Sequence, residues 1–186
     1  RSIFNADEDE SEDREFLAAL FEKHLEESED YKEISKDLED LVKVTSELKS
    51  IQKQAVLLVG ERIFQVRRIL KSYAKESDMF ISWVDRTFSS RKSAYNALAF
   101  YEFYSSLDSD ELKTNYKKMP AKISYIIASK KADYDKKVRI VEQYQGQKQK
   151  EMLEIIDEEL TEKKALAKTS LDATTKTLME MQRLTH

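Results

Sequence analysis

The sequence predicts an all-α protein, with a helix-turn-helix core in a multi-helix domain and a long C-terminal helix. Composition supports this class, because the 186 residues include only 2 Gly and 1 Pro, while 37% are charged. Such chains are rich in helix formers and poor in helix breakers. Apolar residues also recur three and four positions apart through most of the chain, which is the helical period.

The N-terminal segment, residues 1–46, holds 16 acidic and 6 basic residues and has a net charge of −10. We expect the acidic residues 1–14 to be disordered or frayed. Two apolar stripes follow at helical spacing, the first with Phe16, Leu17, Leu20, Phe21 and Leu25, the second with Ile34, Leu38, Leu41 and Val42. Three interpretations of the first helix stay open: it packs on the core, docks a partner, or covers a basic surface as an acidic decoy.

The predicted basic domain covers residues 47–146. Residues 47–150 hold 12 acidic and 21 basic residues, a net charge of +9, which favours an anionic partner. A long helix is predicted from Glu47 to about Lys75. Gly60 lies inside it at a cost of about 1 kcal/mol against Ala, so we expect a close helix contact there. Its basic side chains either bind phosphates beside a DNA groove or are simply solvated, and the candidates are Arg67, Arg68 and Lys71.

Residues 79–104 predict the helix-turn-helix. Ser77 and Asp78 are candidate caps of its first helix, and Ser90 is the candidate cap of its second. The apolar spacing predicts a shared interior made by Trp83, Phe88, Ala94 and Leu98.

The start of the second motif helix is the predicted DNA face, because donors there suit phosphates and base edges. We expect Arg91 to read guanine, Asn96 to read adenine, and Lys92 to contact a base or a phosphate. The predicted phosphate contacts are Ser89, Ser90 and Ser93. The alternative is an ordinary pair of packed helices joined by a solvated basic turn.

Beyond the motif, short basic helices are predicted up to Gly146, with Ser109 capping one, Pro120 opening the next and Asp133 beginning a third. Residues 147–186 predict a single helix. It either forms a homodimer or packs back on the domain, through an interrupted seam of Leu153, Ile156, Leu160, Leu171 and Leu178.

Motifs for chemistry are missing from the sequence. It has no Cys and only 2 His, so we expect no metal site, and Gly60 and Gly146 are too isolated to form a phosphate loop. We expect no cofactor and no enzymatic activity. No apolar run approaches 18 residues, so no membrane span is predicted, and we expect a cytoplasmic protein.

Three blocks point to a family: residues 50–54 (SIQKQ), 56–61 (VLLVGE) and 93–102 (SAYNALAFYE). They resemble the maintenance protein family of the chlamydial virulence plasmid and its chromosomal relatives, and more loosely plasmid partition proteins. The resemblance runs from about residue 47 to 144 and implies bacterial plasmid or chromosome maintenance through binding of duplex DNA. It also implies a ParA-type ATPase as a partner. One departure is Ser89, which stands where the family's turn usually has glycine.

Two other functions compete with DNA binding. The chain could be a non-enzymatic helical scaffold, a secretion chaperone or a protein-interaction module that uses its amphipathic ends. A membrane-surface bundle is the least favoured, because the basic residues are spread over several short helices. Salt-dependent binding to duplex DNA separates the first function from the second, and co-sedimentation with liposomes separates the third.

Overall fold

The longest element of the fold is α2, a 40-residue helix from Tyr31 to Leu70. In the computed structural model, which describes residues 10–27 and 29–161, α2 is about 60 Å long at 1.5 Å per residue. Asp30 caps it, because its carboxylate accepts the backbone N–H of Lys32 at 2.8 Å. The stripes predicted before and after residue 46 therefore belong to one continuous helix. The division between residues 46 and 47 falls inside that helix.

The described residues form seven further helices and no strand, which confirms the all-α prediction. They are α1 (Glu10–His24), α3 (Glu76–Thr87), α4 (Arg91–Ser106), α5 (Asp110–Lys118), α6 (Ala121–Ser129), α7 (Tyr134–Glu142) and α8, described over 149–161. Gly146 has a φ of 82° in the connection between α7 and α8. The C-cap of α7 is Gln143, so this helix ends before Gly146, the residue up to which the sequence predicted helices.

Among the described residues, two apolar clusters form the core, and α4 contributes to both. The larger one joins Leu57 of α2 to Phe100 and Phe103 of α4, and extends over buried side chains of α5 to α8. The smaller one joins α2, α3 and α4 through Ile63, Phe80, Val84, Ala94, Ala97 and Leu98. As a result, α4 is the central helix of the domain.

At Gly60, helix α2 lies in close contact with α4. A Cβ atom on Gly60 would lie 2.2 Å from the carbonyl oxygen of Ala97 and 2.6 Å from Cβ of Tyr101. Both distances are far below a normal contact. The close helix contact predicted from the sequence is confirmed.

The helix-turn-helix region folds as two helices, with corrections to its details. Lys75 is the N-cap of α3 and makes no side-chain capping bond, so the prediction that Ser77 or Asp78 caps this helix is wrong. Both lie within its first turn instead. Trp83 and Phe88 contact each other at 5.8 Å between ring centroids, but both rings are only half-buried at the edge of the smaller cluster.

The acidic helix α1 lies along α2 and reaches the start of α8. Asp13 Oδ2 forms an ion pair with Lys49 Nζ, at 2.6 Å. Glu15 accepts from Lys148 Nζ at 2.8 Å. Since α1 begins at Glu10, the prediction that residues 1–14 are disordered or frayed is wrong for residues 10–14, and residues 1–9 lie outside the described part.

The α5–α6 connection is fixed by reciprocal hydrogen bonds between two buried residues. Tyr116 donates its hydroxyl to the carbonyl oxygen of Ser124 at 2.9 Å, and Ser124 Oγ donates back to the carbonyl oxygen of Tyr116 at 3.3 Å. Ser109 caps α5 by accepting the N–H of Leu112 at 3.1 Å, and Pro120 precedes α6, as predicted.

The described part of α8 packs back on the domain. Ile156 and Leu160, two members of the seam predicted for a homodimer, are buried in the larger cluster, and Leu153 packs against it. These side chains are therefore used within the monomer. Leu171 and Leu178 lie outside the described residues.

Candidate nucleic-acid interface

The turn between α3 and α4 spans residues 88–90 and is extended. Phe88 has φ −117° and Ser90 has φ −143°. No described residue other than glycine has positive φ, so Ser89 needs no glycine-like conformation. Ser90 caps α4 as predicted, since its Oγ accepts the N–H of Ser93 at 3.4 Å.

Arg91, the candidate guanine reader, is paired with Asp85 at the last turn of α3. Its Nη2 donates to Oδ2 of that carboxylate at 2.6 Å, and its Nε donates to Oδ1. This hydrogen bonding lowers the pKa of Asp85 and raises the pKa of Arg91. Both side chains are exposed, so water screens the pair. A phosphate or base would therefore have to compete with Asp85 for the guanidinium.

Arg67 is also paired. Its Nη1 donates to Glu102 Oε1 at 3.1 Å, and its guanidinium carbon lies 5.8 Å from the centroid of the Phe80 ring. Phe80 in turn contacts Tyr95 edge to face, with centroids 6.0 Å apart. The end of α2 is thereby connected to the first turns of α4 through two aromatic rings.

These residues border one groove of about 510 Å³. Its basic lining residues are Arg67, Arg68 and Lys71, and its acidic ones are Glu76 and Glu102. Tyr95 and Phe80 form part of its aromatic wall. The groove thus brings together the three α2 cations that the sequence proposed, but it places two carboxylates beside them.

Three of the residues predicted to contact DNA are exposed cations without an ion pair among the described residues. Lys92, Arg68 and Lys71 are exposed, and none makes an ion pair with another described residue. Ser89 and Ser93 are exposed as well, whereas Ser90 is half-buried and caps α4.

Helix α4 exposes mainly its first turn. Asn96, the candidate adenine reader, is half-buried, and Ala97, Leu98, Phe100 and Phe103 beyond it are buried. In a helix-turn-helix, the N-terminal residues of the recognition helix are the ones that contact base edges. The arrangement therefore suits an end-on approach of the α4 N-terminus.

Comparison with known proteins identifies the family. The profile described as uncharacterised protein family UPF0137 matches residues 1–185, which is nearly the whole chain. The chain belongs to the UPF0137 family.

The UPF0137 chain is similar to several chlamydial proteins. It is 38% identical over 154 residues to virulence plasmid protein pGP6-D of Chlamydia muridarum, an alignment covering 83% of this chain and 61% of that protein. The same-named protein of Chlamydia trachomatis is 36% identical over 151 residues, covering 80% and 60%. A virulence plasmid protein pGP6-D-related protein of Chlamydia trachomatis serovar D is 40% identical over 142 residues, covering 76% and 53%.

These matches confirm the resemblance to the chlamydial virulence-plasmid family that the sequence blocks indicated. The chain spans 53% to 61% of the length of these curated relatives. No solved structure matches it.

The fold gives the basic residues of α5 and α7 different surroundings. Lys113 and Lys117 both lie over the ring of Tyr104, at 5.6 and 5.8 Å, a pairing that their four-residue spacing could have indicated. Lys137, by contrast, is buried, and burial lowers its pKa. Its Nζ donates to the carbonyl oxygen of Ala128 at 3.3 Å, so this lysine serves the interior rather than a binding surface.

Two further findings concern the described residues alone. They contain no group of three or more His, Cys, Asp or Glu side chains able to hold a metal ion. None of the helices in this part of the protein has the length and apolar character needed to span a membrane.

Proposed function

We propose that this protein binds duplex DNA in a plasmid-maintenance or chromosome-maintenance role, through the α4 N-terminus and the C-terminal end of α2. One observation supports this most directly. The two sets of residues proposed from sequence, 89–96 and 67–71, adjoin each other across the contacts of Arg67, Phe80 and Tyr95. A duplex that met the first turn of α4 would therefore also lie near the α2 cations.

Phosphate contacts supply the affinity in this proposal. Lys92, Arg68 and Lys71 are exposed and have no ion pair with other described residues, so they meet a phosphate without first giving up a partner. Each phosphate contact contributes about one to the slope of log affinity against log salt. The N-terminal dipole of α4 adds to the attraction for a phosphate there.

Base reading is the weaker part of the proposal. Arg91 has to exchange Asp85 for a base edge, and Asn96 is half-buried. We expect an Arg91→Ala or Asn96→Ala change to cost about 1–3 kcal/mol at one base pair and to relax preference there. Loss of a phosphate contact should weaken binding to every sequence alike.

The test is fluorescence anisotropy with labelled plasmid and genomic duplexes over a range of salt concentrations. Replacing Lys92, Arg68 and Lys71 together by Gln should weaken binding to all duplexes and lower the salt slope by about three. Absence of duplex binding by the wild type at about 50 mM salt, where phosphate contacts are strong, would refute the function.

A matched control removes the same charge elsewhere. Lys32, Lys36 and Lys43 are exposed on the N-terminal half of α2, far along the helix from the groove. Their triple change to Gln should leave the salt slope within about one half of the wild-type value. An equal loss of slope in both triple variants would indicate general charge attraction and no defined face.

Asp85→Asn offers a gain-of-binding test. It removes the carboxylate that holds Arg91, so the guanidinium becomes available to a phosphate. We expect tighter duplex binding and a salt slope steeper by about one. Unchanged binding would mean that Arg91 does not face the DNA.

A protein-interaction role is the second candidate, and a specific feature favours it. Several large apolar side chains of α2 are exposed although the helix is anchored in the core on its other side. Apolar side chains exposed along one helix suit contact with another protein. The ParA-type ATPase implied by the family resemblance remains a proposed partner of this kind.

A further inference from the structure

Helix α1 is attached to the domain mainly by charged and polar links. Among the residues of α1 whose side chains are described, Leu17 is the only buried one, and it belongs to neither core cluster. Phe16 is 67% exposed and Leu20 is 42% exposed, so much of the apolar stripe of this helix stays in water. Burial of apolar surface therefore contributes little to holding α1 in place.

Two carboxylates of α1 bind the start of α8. Glu12 Oε1 accepts the backbone N–H of Gln149 at 3.2 Å, and Glu15 accepts a hydrogen bond from Lys148 Nζ at 2.8 Å. A helix N-terminus with a lysine beside it attracts anions, because its N–H groups and dipole favour negative charge. A phosphate could make both of these contacts in place of the carboxylates.

Two ion pairs join α1 to α2. Asp13 Oδ2 lies 2.6 Å from Lys49 Nζ, and Arg14 Nη2 donates to Glu39 Oε2 at 2.6 Å. Both members of the second pair are exposed, as are both members of the pair that reaches α8. Salt screens exposed ion pairs. The attachment of α1 should therefore weaken as the salt concentration rises.

The cations beneath α1 lie on the groove side of α2. Five helical turns separate Lys49 from Arg67, which borders the groove, so the two side chains lie on the same side of the helix, about 27 Å apart along its axis. B-DNA spans this distance in about eight base pairs. Asp13 and Lys49 also border a cavity of about 750 Å³, whose wall contains two more basic residues, Lys53 and Lys122.

We propose that α1 is an autoinhibitory strap, whose carboxylates hold Lys49, Lys148 and the N-terminus of α8 away from DNA phosphates. Bound DNA displaces the strap by taking over these partners, since lysines and helix N–H groups bind carboxylates and phosphates alike. This inference rests on the proposed function and adds its regulation. Once released, α1 unfolds, because an isolated helix of 15 residues is marginal in water.

The first experiment follows α1 in the full chain without DNA, by hydrogen exchange and mass spectrometry. Raising the salt from about 50 to about 500 mM should make the amides of α1 exchange about tenfold faster. The triple change Glu12→Gln, Asp13→Asn and Glu15→Gln, the release variant, should show this faster exchange already at low salt. Exchange in the central helix α4 should change by less than about twofold in either case, because the domain stays folded.

The matched control removes three carboxylates that make no contact with α8 or with Lys49. Glu22→Gln, Glu27→Gln and Glu33→Gln change exposed residues near the end of α1 and the start of α2. This variant should keep the slow exchange of the wild type at low salt. Exchange of α1 that responds neither to salt nor to the release variant would overturn the strap, and so would an equal response to the control variant.

The second experiment measures duplex binding by fluorescence anisotropy. The release variant should bind about tenfold more tightly at about 50 mM salt, because DNA no longer has to displace α1. Its salt slope should be steeper by about two, since Lys49 and Lys148 then add phosphate contacts without giving up carboxylates. Adding Lys49→Gln and Lys148→Gln to the release variant should cancel the gain. A gain that survives without these two lysines would overturn the proposal.

Failure of the strap and failure of the groove are distinguishable. If release of α1 leaves the affinity unchanged while the Lys92, Arg68 and Lys71 triple variant still weakens binding, the strap is refuted and the proposed function stands. If release tightens binding through Lys49 and Lys148 while the groove variant has no effect, the strap stands and the groove is refuted. Absence of duplex binding in both the wild type and the release variant would overturn both.

Discussion

The crossing of α2 and α4 gives the sharpest test of the fold, through Gly60→Ala. In an exposed helix this change stabilises by up to about 1 kcal/mol, because Ala has the higher helix propensity. Here the added methyl would lie 2.2 Å from the carbonyl oxygen of Ala97 and 2.9 Å from its carbonyl carbon. These are backbone atoms of a central helix and cannot rotate away. Overpacking costs about 1–3 kcal/mol, and a backbone clash this short belongs at the upper end, so we expect a net loss of about 2 kcal/mol.

Urea denaturation followed by circular dichroism measures this loss. With an m-value of about 2 kcal/mol/M, the midpoint should fall by about 1 M at unchanged slope. Gln54→Ala, an exposed change six residues earlier on α2, controls for propensity and should move the midpoint very little. Stabilisation by Gly60→Ala would show that α4 does not approach α2 at this position, and the arrangement of both clusters would have to be revised.

Other predictions follow from single contacts. Trp83→Ala should lower the free energy of unfolding by about 1–3 kcal/mol, because Trp83 is half-buried; a fully buried ring would cost about 3–5 kcal/mol. The urea midpoint measures this loss, and a loss near zero would contradict the packing of Trp83. Tyr116→Phe should cost about 1 kcal/mol at neutral pH through the lost hydrogen bond to Ser124. Burial raises the pKa of Tyr116 well above its usual value, so the stability it contributes is fully present below about pH 10 and declines as pH rises, because the unfolded chain ionises first. The stability gap between wild type and Tyr116→Phe should therefore shrink at alkaline pH, and a constant gap would contradict this. Lys137→Met should keep or raise the free energy of unfolding, because it removes a partly desolvated charge. A loss above about 2 kcal/mol would show that the hydrogen bond to Ala128 stabilises the fold by more than desolvation of the charge destabilises it.

Local features of this protein were predictable because their energies are local. The caps by Ser90 and Ser109 are hydrogen bonds to the backbone three residues away, and Pro120 precedes a helix because its missing N–H costs nothing there. The close contact at Gly60 was also predictable, since a glycine inside a helix needs a compensating reason. The family followed from ordered blocks of residues along the chain.

The sequence by itself therefore determined the helical class, several caps, the close contact at Gly60 and the family. Tertiary structure decided which basic residues are available. Arg67 pairs with Glu102, 35 residues away, and Lys137 is buried, so a count of positive charges along the chain overstates the number of unpaired charges at the surface. It also decided which apolar rows are used, because the rows look alike in sequence: Ile156 is buried in the core, whereas Leu48 remains exposed. The physical reason is that helical periodicity fixes which residues share a face, while only packing between distant segments fixes which faces meet.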